Sequence, residues 1–130
     1  MIMENILLYS KSHEWIKKDK TKNVYIIGIS EYATRELGDI VYVELPVVGD
    51  QINLDKSFGV VESVKSVSDL IAPVSGKILE INSELENYPE LVNQDPLNEG
   101  WMIKVEINDP KELEKLLNET DYKKFIEEEK

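Results

Sequence analysis

The chain has 130 residues, and 15 Lys plus Arg against 26 Asp plus Glu give a formal net charge of −11, so roles on nucleic-acid phosphates or anionic lipids are disfavoured. The absence of cysteine excludes disulfides, thiol nucleophiles and thiolate metal sites. A single histidine, His13, argues against the usual catalytic triads and against multi-histidine metal centres, so we expect no metal site.

The first half of the chain predicts strands around one short helix. Residues 14–29 are typical of a hairpin, because β-branched and aromatic residues flank a polar, lysine-rich turn. A helix is predicted over 31–37, since Ser30 is a favourable N-cap and Gly38 is placed as a C-terminal glycine. Residues 40–45 alternate as a strand before a proline.

The second half continues with short strands at short intervals. Strands are predicted at 58–64, 69–72, 77–81 and 101–107. The polar segment 82–98 is expected to be mostly loop, with a helical turn near 89–92.

The C-terminal tail changes to a helical pattern. Asp109 is a candidate N-cap, and Glu112 completes an Asp-x-x-Glu capping pattern. Three leucines define one apolar helical face, expected to pack on the sheets: Leu113, Leu116 and Leu117. A second short helix has the same spacing at Tyr122, Phe125 and Ile126. The predicted architecture is mainly antiparallel β with one inserted helix and a helical C-terminus.

Lys65 is the residue that best suits a chemical role. Two strand-like runs flank it, which places it at or beside a turn where its ammonium is presented to solvent on a flexible stem. Such a lysine suits attachment of an activated acid by another enzyme better than catalysis, because at neutral pH it is protonated. Exposed turn lysines are common, however, so the residues alone leave an ordinary surface lysine as the simpler interpretation.

The segment around Lys65 resembles the lipoyl-attachment segment of the glycine cleavage system H-protein family. The matching residues are Glu62-Ser63-Val64-Lys65, Ser68-Asp69 and Pro73-Val74-Ser75-Gly76. Further blocks match in the same order: Tyr9 with Ser12-His13-Glu14-Trp15, Leu37-Gly38-Asp39-Ile40-Val41, Val43-Glu44-Leu45-Pro46, Pro89-Glu90-Leu91-Val92-Asn93 and Gly100-Trp101-Met102. The sequence departs from many relatives at Ser66, where they have alanine, and at Glu36, where some have a histidine near the loaded arm.

The resemblance implies a fold and a set of site residues. The fold would be a barrel-sandwich hybrid of two antiparallel sheets, in a single lipoyl-carrier domain over 1–130 with a helical tail from about 109 to 130. Lys65 would carry lipoic acid in amide linkage at a protruding hairpin. Two residues would help the lipoylating enzyme recognise the hairpin: Glu62, and Gly76 by allowing a turn. A protective cleft for the amine of the carried group would include Ser12, Glu14 and Asp69, with Glu14 and Asp69 receiving the amine.

The implied function is that of a carrier without catalytic residues. It would shuttle the aminomethyl group of glycine on lipoyl-Lys65 between a pyridoxal-phosphate decarboxylase (P protein), a tetrahydrofolate aminomethyltransferase (T protein) and dihydrolipoyl dehydrogenase (L protein). A lipoate-attaching enzyme would be a further partner. His13, Trp15 and Trp101 are interpreted as packing residues.

Several alternatives are open at this stage. A biotinyl domain is disfavoured because Val64 and Ser66, and not methionines, flank the lysine. A lipoyl domain of a 2-oxoacid dehydrogenase would lack the opening and C-terminal blocks, whereas an H-type protein that relays lipoyl groups to other enzymes would share them. A hydrolase using Glu14 and His13 lacks an apparent nucleophile, and a structural adaptor is the remaining alternative. Without a visible leader we expect a cytoplasmic location, or the mitochondrial matrix for a processed chain.

Overall fold

The computed structural model describes residues 7–129, so residues 1–6 and 130 of the predicted domain lie outside the described part. The strands are β1 (Leu7–Tyr9), β2 (Glu14–Lys18), β3 (Val24–Ile29), β4 (Ile40–Glu44), β5 (Gln51–Ile52), β6 (Ser57–Ser63), β7 (Val67–Ile71), β8 (Gly76–Ile81) and β9 (Ile103–Ile107). The helices are α1 (Glu31–Leu37), α2 (Glu84–Asn87), α3 (Leu91–Gln94), α4 (Glu119–Glu129) and a 3₁₀ helix (Pro110–Lys115). None of these helices is long and apolar enough to cross a bilayer.

The strands form two antiparallel sheets. Six strands pair in the order β1-β2-β3-β9-β8-β5, and the other three pair in the order β4-β6-β7. The main core lies between the sheets and consists largely of branched aliphatic side chains, among them Ile16, Ile27, Val61, Leu70, Ile78, Ile103 and Val105. The predicted mainly-β architecture of two antiparallel sheets with a short inserted helix and a helical C-terminus is confirmed.

A second apolar cluster fastens the C-terminal tail to the six-stranded sheet. It is built on Tyr9, Trp15 and Tyr122, with Leu117, Phe125 and Ile126 packed against it. Tyr9 and Tyr122 stack with ring centroids 4.1 Å apart. The fully buried Trp15 donates from Nε1 to the Pro96 carbonyl, and Trp101 lies half-buried at the edge of the cluster, as expected for packing residues.

The hairpin and the inserted helix form as predicted. Strands β2 and β3 pair from Glu14 opposite Ile29 to Lys18 opposite Tyr25. Ser30 accepts from the Ala33 N–H at the start of α1, and Gly38 closes the helix with a φ of 83°.

Some element boundaries were predicted wrongly. The last strand begins at Ile103 and not at residue 101, because the chain is still turning there: the Trp101 N–H donates to the Asn98 carbonyl. Segment 82–98 contains two short helices, of which only α3 lies near the predicted turn. Strands β1 and β5 were not predicted, since segments of three and two residues show no recognisable alternation.

The tail is also corrected in its first part. The segment after Asp109 is a 3₁₀ helix, and Leu116 has extended backbone, so the three leucines do not share one α-helical face. Leu113 and Leu116 pack on the main core, whereas Leu117 forms a bridge with Tyr9. The capping pattern is wrong as well: Asp109 does cap, but the Glu112 carboxylate accepts from the Ser75 N–H (2.6 Å) and does not reach back to the helix start.

Candidate functional site

Lys65 stands at the tip of the hairpin formed by β6 and β7. The last residues paired in the two strands are Glu62 and Val67, and the Ser63 N–H then donates to the Ser66 carbonyl at 2.8 Å. Val64 and Lys65 are therefore the two residues at the tip. Neither has a positive φ, so this tight turn does not use the left-handed backbone that two-residue hairpin loops favour.

The side chain of Ser63 supplies the hydrogen bonds that hold this tip. Its Oγ accepts from the Ser66 N–H at 3.1 Å and from the Lys65 N–H at 3.3 Å. The Val64 N–H donates to the Asp39 carbonyl at 3.0 Å, which ties the tip to the chain between α1 and β4. The lysine is thus carried on a backbone fixed from both sides.

The Lys65 side chain itself is exposed and unpaired. Among residues 7–129 its ammonium has neither a hydrogen bond nor a salt bridge. Its stem passes Gly38, where an added Cβ would lie 3.5 Å from the lysine Cε. The structure therefore fits an attachment site: the amine is accessible, and the backbone beneath it is held.

Glu62 and Gly76, the two predicted recognition residues, lie in different sheets. Glu62 is half-buried on β6, opposite Tyr42 and Val67 and three residues before the lysine. Gly76 begins β8 in the six-stranded sheet, so the prediction that it allows a turn is wrong. It is required because an added Cβ would lie 2.5 Å from the Glu106 carbonyl oxygen of the paired strand.

Glu14 is a buried carboxylate that joins the two sheets. It is 2% exposed because it lies on the same side of β2 as the core residue Ile16. Oε1 accepts from the hydroxyls of Ser10 and Ser12, and Oε2 accepts from the Ile71 N–H of β7 at 3.0 Å. Burial raises the pKa of Glu14 above its ordinary value of 4.5, and these hydrogen bonds oppose that shift.

The other two residues of the predicted cleft are exposed. Ser12 contacts Glu14 from the solvent side. Asp69 lies on β7 opposite Val60, two residues before the amide that Glu14 binds. The structure thus brings Ser12 and Glu14 into contact. Asp69 contacts neither of them through a hydrogen bond described here, but it lies on the same strand as Ile71, whose N–H binds Glu14.

His13 connects the turn before β2 to the C-terminal helix. Its Nδ1 lies 2.7 Å from the Tyr122 hydroxyl, which is also 2.7 Å from Ser30 Oγ, and its Nε2 lies 3.2 Å from the Glu129 carboxylate. Burial raises the pKa of Tyr122 to about 12, so this hydroxyl stays protonated at neutral pH. His13 therefore packs and hydrogen-bonds, as the sequence suggested.

Glu36, the position that departs from some relatives, is exposed on α1. It lines a groove between α1 and α4 together with Tyr32, Arg35 and Lys123. The sequence assigned no hydrogen-bonding role to the Ser63 hydroxyl, the Ile71 amide or the Tyr122 hydroxyl. Of these, only Ser63 carried a signal, since a serine next to a turn commonly caps the turn with its hydroxyl.

Comparison with known proteins decides the family. Residues 7–129 match the family model described as Glycine cleavage H-protein. The chain belongs to the glycine cleavage H-protein family. The resemblance seen in the sequence is therefore confirmed across the whole described part.

Two bacterial relatives, each named glycine cleavage system H protein, are similar over nearly their whole length. The one from Carboxydothermus hydrogenoformans is 58% identical over 123 residues, covering 95% of this chain and 93% of the relative. The one from Oceanobacillus iheyensis is 53% identical over 127 residues, covering 98% and 99%.

A solved structure supports the same conclusion. The crystal structure of a glycine cleavage system H protein from Mycobacterium marinum superposes with a TM-score of 0.79 at 34% identity. The match covers 94% of this chain and 95% of that chain. The two-sheet architecture is thus shared by a member of the H-protein family with considerably lower identity.

Proposed function

We propose that this chain is the lipoyl carrier of a glycine cleavage system and that Lys65 is the residue that carries lipoate. The observation that carries the proposal is the free, exposed ammonium at the tip of a hairpin whose backbone Ser63 holds. Family membership supports lipoate as the group that is carried, and the geometry supports the Lys65 Nζ as the atom to which it is attached.

The chemistry at Lys65 follows from its surroundings. Its ammonium must lose one proton to become a nucleophile, and a second proton leaves the nitrogen when the amide forms and the activating group departs. No carboxylate among the described residues binds this ammonium, so no ion pair has to be broken first. Lipoate, when attached, supplies a dithiolane that can accept a group and be reoxidised. The carrier contributes reach and a fixed base for the arm.

For the protective cleft, we propose that Glu14 and Asp69 receive the cationic amine of the carried group. Glu14 Oε2 accepts one hydrogen bond, from Ile71, so it has capacity for another donor. Ser12 is exposed while bonded to Oε1 of this buried carboxylate, so an amine would approach Glu14 from the side of Ser12. In the double variant Glu14→Gln, Asp69→Asn we expect the carried group to be lost to water faster; an unchanged rate would contradict this assignment.

Glu62 and Gly76 are proposed to assist lipoylation in different ways. Glu62 presents a half-buried carboxylate beside the hairpin tip, where an enzyme approaching Lys65 would meet it. Gly76 would act indirectly, by permitting the close approach of β8 and β9.

The proposed partners are the P, T and L proteins and a lipoate-attaching enzyme. The net charge of −11 favours docking on basic surfaces of such partners. The cytoplasmic location stays a prediction.

Intact-mass measurement of protein from a lipoylation-competent host tests the assignment. We expect the mass of one lipoyl group on the wild type and none on Lys65→Arg. Lys20→Arg is the matched control, because Lys20 is also an exposed lysine at a hairpin turn. A lipoyl group that persists on Lys65→Arg would refute the attachment site. Reconstitution with the P, T and L proteins and glycine then separates glycine cleavage from a relay of lipoyl groups to other enzymes.

A further inference from the structure

The outer face of the three-stranded sheet presents two rows of side chains beside Lys65. Register places Tyr42, Glu62 and Val67 directly opposite one another across β4, β6 and β7, and it places Glu44, Val60 and Asp69 in the next row. Residues directly opposite in a sheet share a face. The intervening Val43 and Val61 are buried in the core, so these two rows point away from it.

The row nearest the hairpin tip has an exposed apolar side chain on each side of Glu62. Val67 is 69% exposed and Tyr42 is 46% exposed, and Val64 in the tip itself is also 69% exposed. A group of exposed large apolar side chains around one point of a surface indicates an interaction site. This group adjoins the modification site.

The charges on the same face have one sign apart from the lysine. Within residues 40–44 and 57–71 the basic side chain is Lys65, and the acids are Glu44, Glu62 and Asp69. Attachment through an amide removes the lysine charge and leaves the face wholly acidic. A partner that covers this face must therefore offer an apolar recess with basic side chains around it.

The short side chain of the unmodified lysine indicates which partner covers this face. Only a four-carbon stem separates Nζ from the backbone of the tip, so the enzyme that acylates Nζ must come into contact with the surface around the tip. Enzymes that act on the far end of the attached arm can stand further away. A second copy of this chain is a poor occupant, because each copy would bring the same acids.

We propose that the outer face, centred on Tyr42, Val64 and Val67, is the docking surface for the lipoate-attaching enzyme. This proposal rests on the proposed role of Lys65. The apolar side chains fill a recess on the enzyme, and the acids pair with its basic rim. Val67 is the position whose change is most informative, because it lies in the row with Glu62 and is two residues from the lysine.

The test measures kcat/KM for lipoylation of the apo protein by an ATP-dependent lipoate–protein ligase, followed by intact mass. Val67→Lys removes the apolar contact and adds a charge of the partner's own sign, whereas Val67→Asp adds a complementary charge. The matched controls are Val47→Lys and Val47→Asp, because Val47 is 68% exposed and lies in the loop after β4, outside both rows. The free energy of unfolding is measured for all four variants.

We expect Val67→Lys to lower kcat/KM by roughly ten-fold, chiefly by raising KM, as is typical of an interface residue that contributes to binding energy. Val67→Asp should lose clearly less, and the Val47 variants about two-fold at most. Equal kcat/KM for Val67→Lys and Val47→Lys would overturn the docking surface while leaving Lys65 as the carrier residue. A larger loss of kcat/KM with Val67→Asp than with Val67→Lys would contradict the proposal that the enzyme's surface is basic here. A wild type that is not modified at all would overturn the proposed function itself.

Discussion

The carboxylate of Glu14 accepts a hydrogen bond from the backbone N–H of Ile71, and this single contact joins β2 of one sheet to β7 of the other. Glu14 is buried, and two serine hydroxyls satisfy its second oxygen. Strand β7 continues from the hairpin that bears Lys65. The buried acid therefore helps to fix the strand that continues from the proposed attachment site.

Removing this carboxylate should destabilise the fold. Glu14→Ala leaves the Ile71 N–H without its acceptor and opens a cavity, so we expect the free energy of unfolding to fall by about 2–4 kcal/mol. Glu14→Gln keeps the shape and one acceptor oxygen and should lose about half as much. Urea unfolding measures both variants. Equal losses would show that the hydrogen bond to Ile71 contributes little.

The pH dependence of stability should reveal the same group. Because burial raises the folded-state pKa of Glu14, its contribution to stability is fully present below the ordinary pKa and is lost as pH rises through the folded-state value. The free energy of unfolding of the wild type, relative to Glu14→Gln, should therefore decrease as pH increases above about 4.5. Taking the difference between the two proteins cancels the other carboxylates. A pH-independent difference would contradict the raised pKa.

Ser63→Ala should loosen the hairpin tip. The N–H groups of Lys65 and Ser66 lose their acceptor, so their amide hydrogen exchange should become faster, with about 0.5–1.5 kcal/mol lost in global stability. Ser57→Ala is the control, because its hydroxyl bonds to the Gly59 carbonyl near the other end of β6. If both variants leave exchange at the tip unchanged, Ser63 does not hold it.

Gly76→Ala should lower stability before it affects recognition. The added Cβ meets the Glu106 carbonyl oxygen of the paired strand, and such overpacking costs about 1–3 kcal/mol. Urea unfolding and lipoylation are measured on the same samples. A variant as stable as the wild type but poorly lipoylated would indicate direct contact between Gly76 and the lipoylating enzyme.

Tyr122→Phe tests how the tail is fastened. It keeps the stack on Tyr9 but removes the hydroxyl that lies between His13 and Ser30, so we expect a loss of about 1–2 kcal/mol. Tyr88→Phe serves as the control, because Tyr88 is exposed. Thermal unfolding of both variants provides the comparison, and equal midpoints would contradict the proposed role of the hydroxyl.

Patterns of several residues predicted the fold well, and the motif around Lys65 predicted the hairpin. The α1 caps and the β2–β3 hairpin follow from local rules that the structure satisfies. The 3₁₀ tail did not follow, because its backbone is set by packing of leucines on two different clusters. Glu112 also fits a local capping pattern in the sequence, but in the folded protein its carboxylate accepts a hydrogen bond from the Ser75 N–H instead.

The sequence could point to a candidate site residue only where the chemistry requires one residue type. Lys65 could be proposed because attachment needs an amine in a recognisable segment, and the structure places this amine at an exposed hairpin tip. The contact between Glu14 and Ile71 could not, since it joins residues 57 positions apart through a backbone amide. For Gly76 the predicted turn is wrong, because a glycine needed for close strand approach and one needed for a turn look alike in a sequence.

His13 and Glu14 are adjacent in the chain but face opposite layers of the molecule. His13 contacts α4 on the outside, while Glu14 extends between the sheets. A protein shortened before residue 119 would retain all the strands described here. The turn that precedes Glu14 would nevertheless lose the contacts of His13 with α4. Trimming this terminus is therefore a poor way to simplify the carrier for crystallisation or fusion.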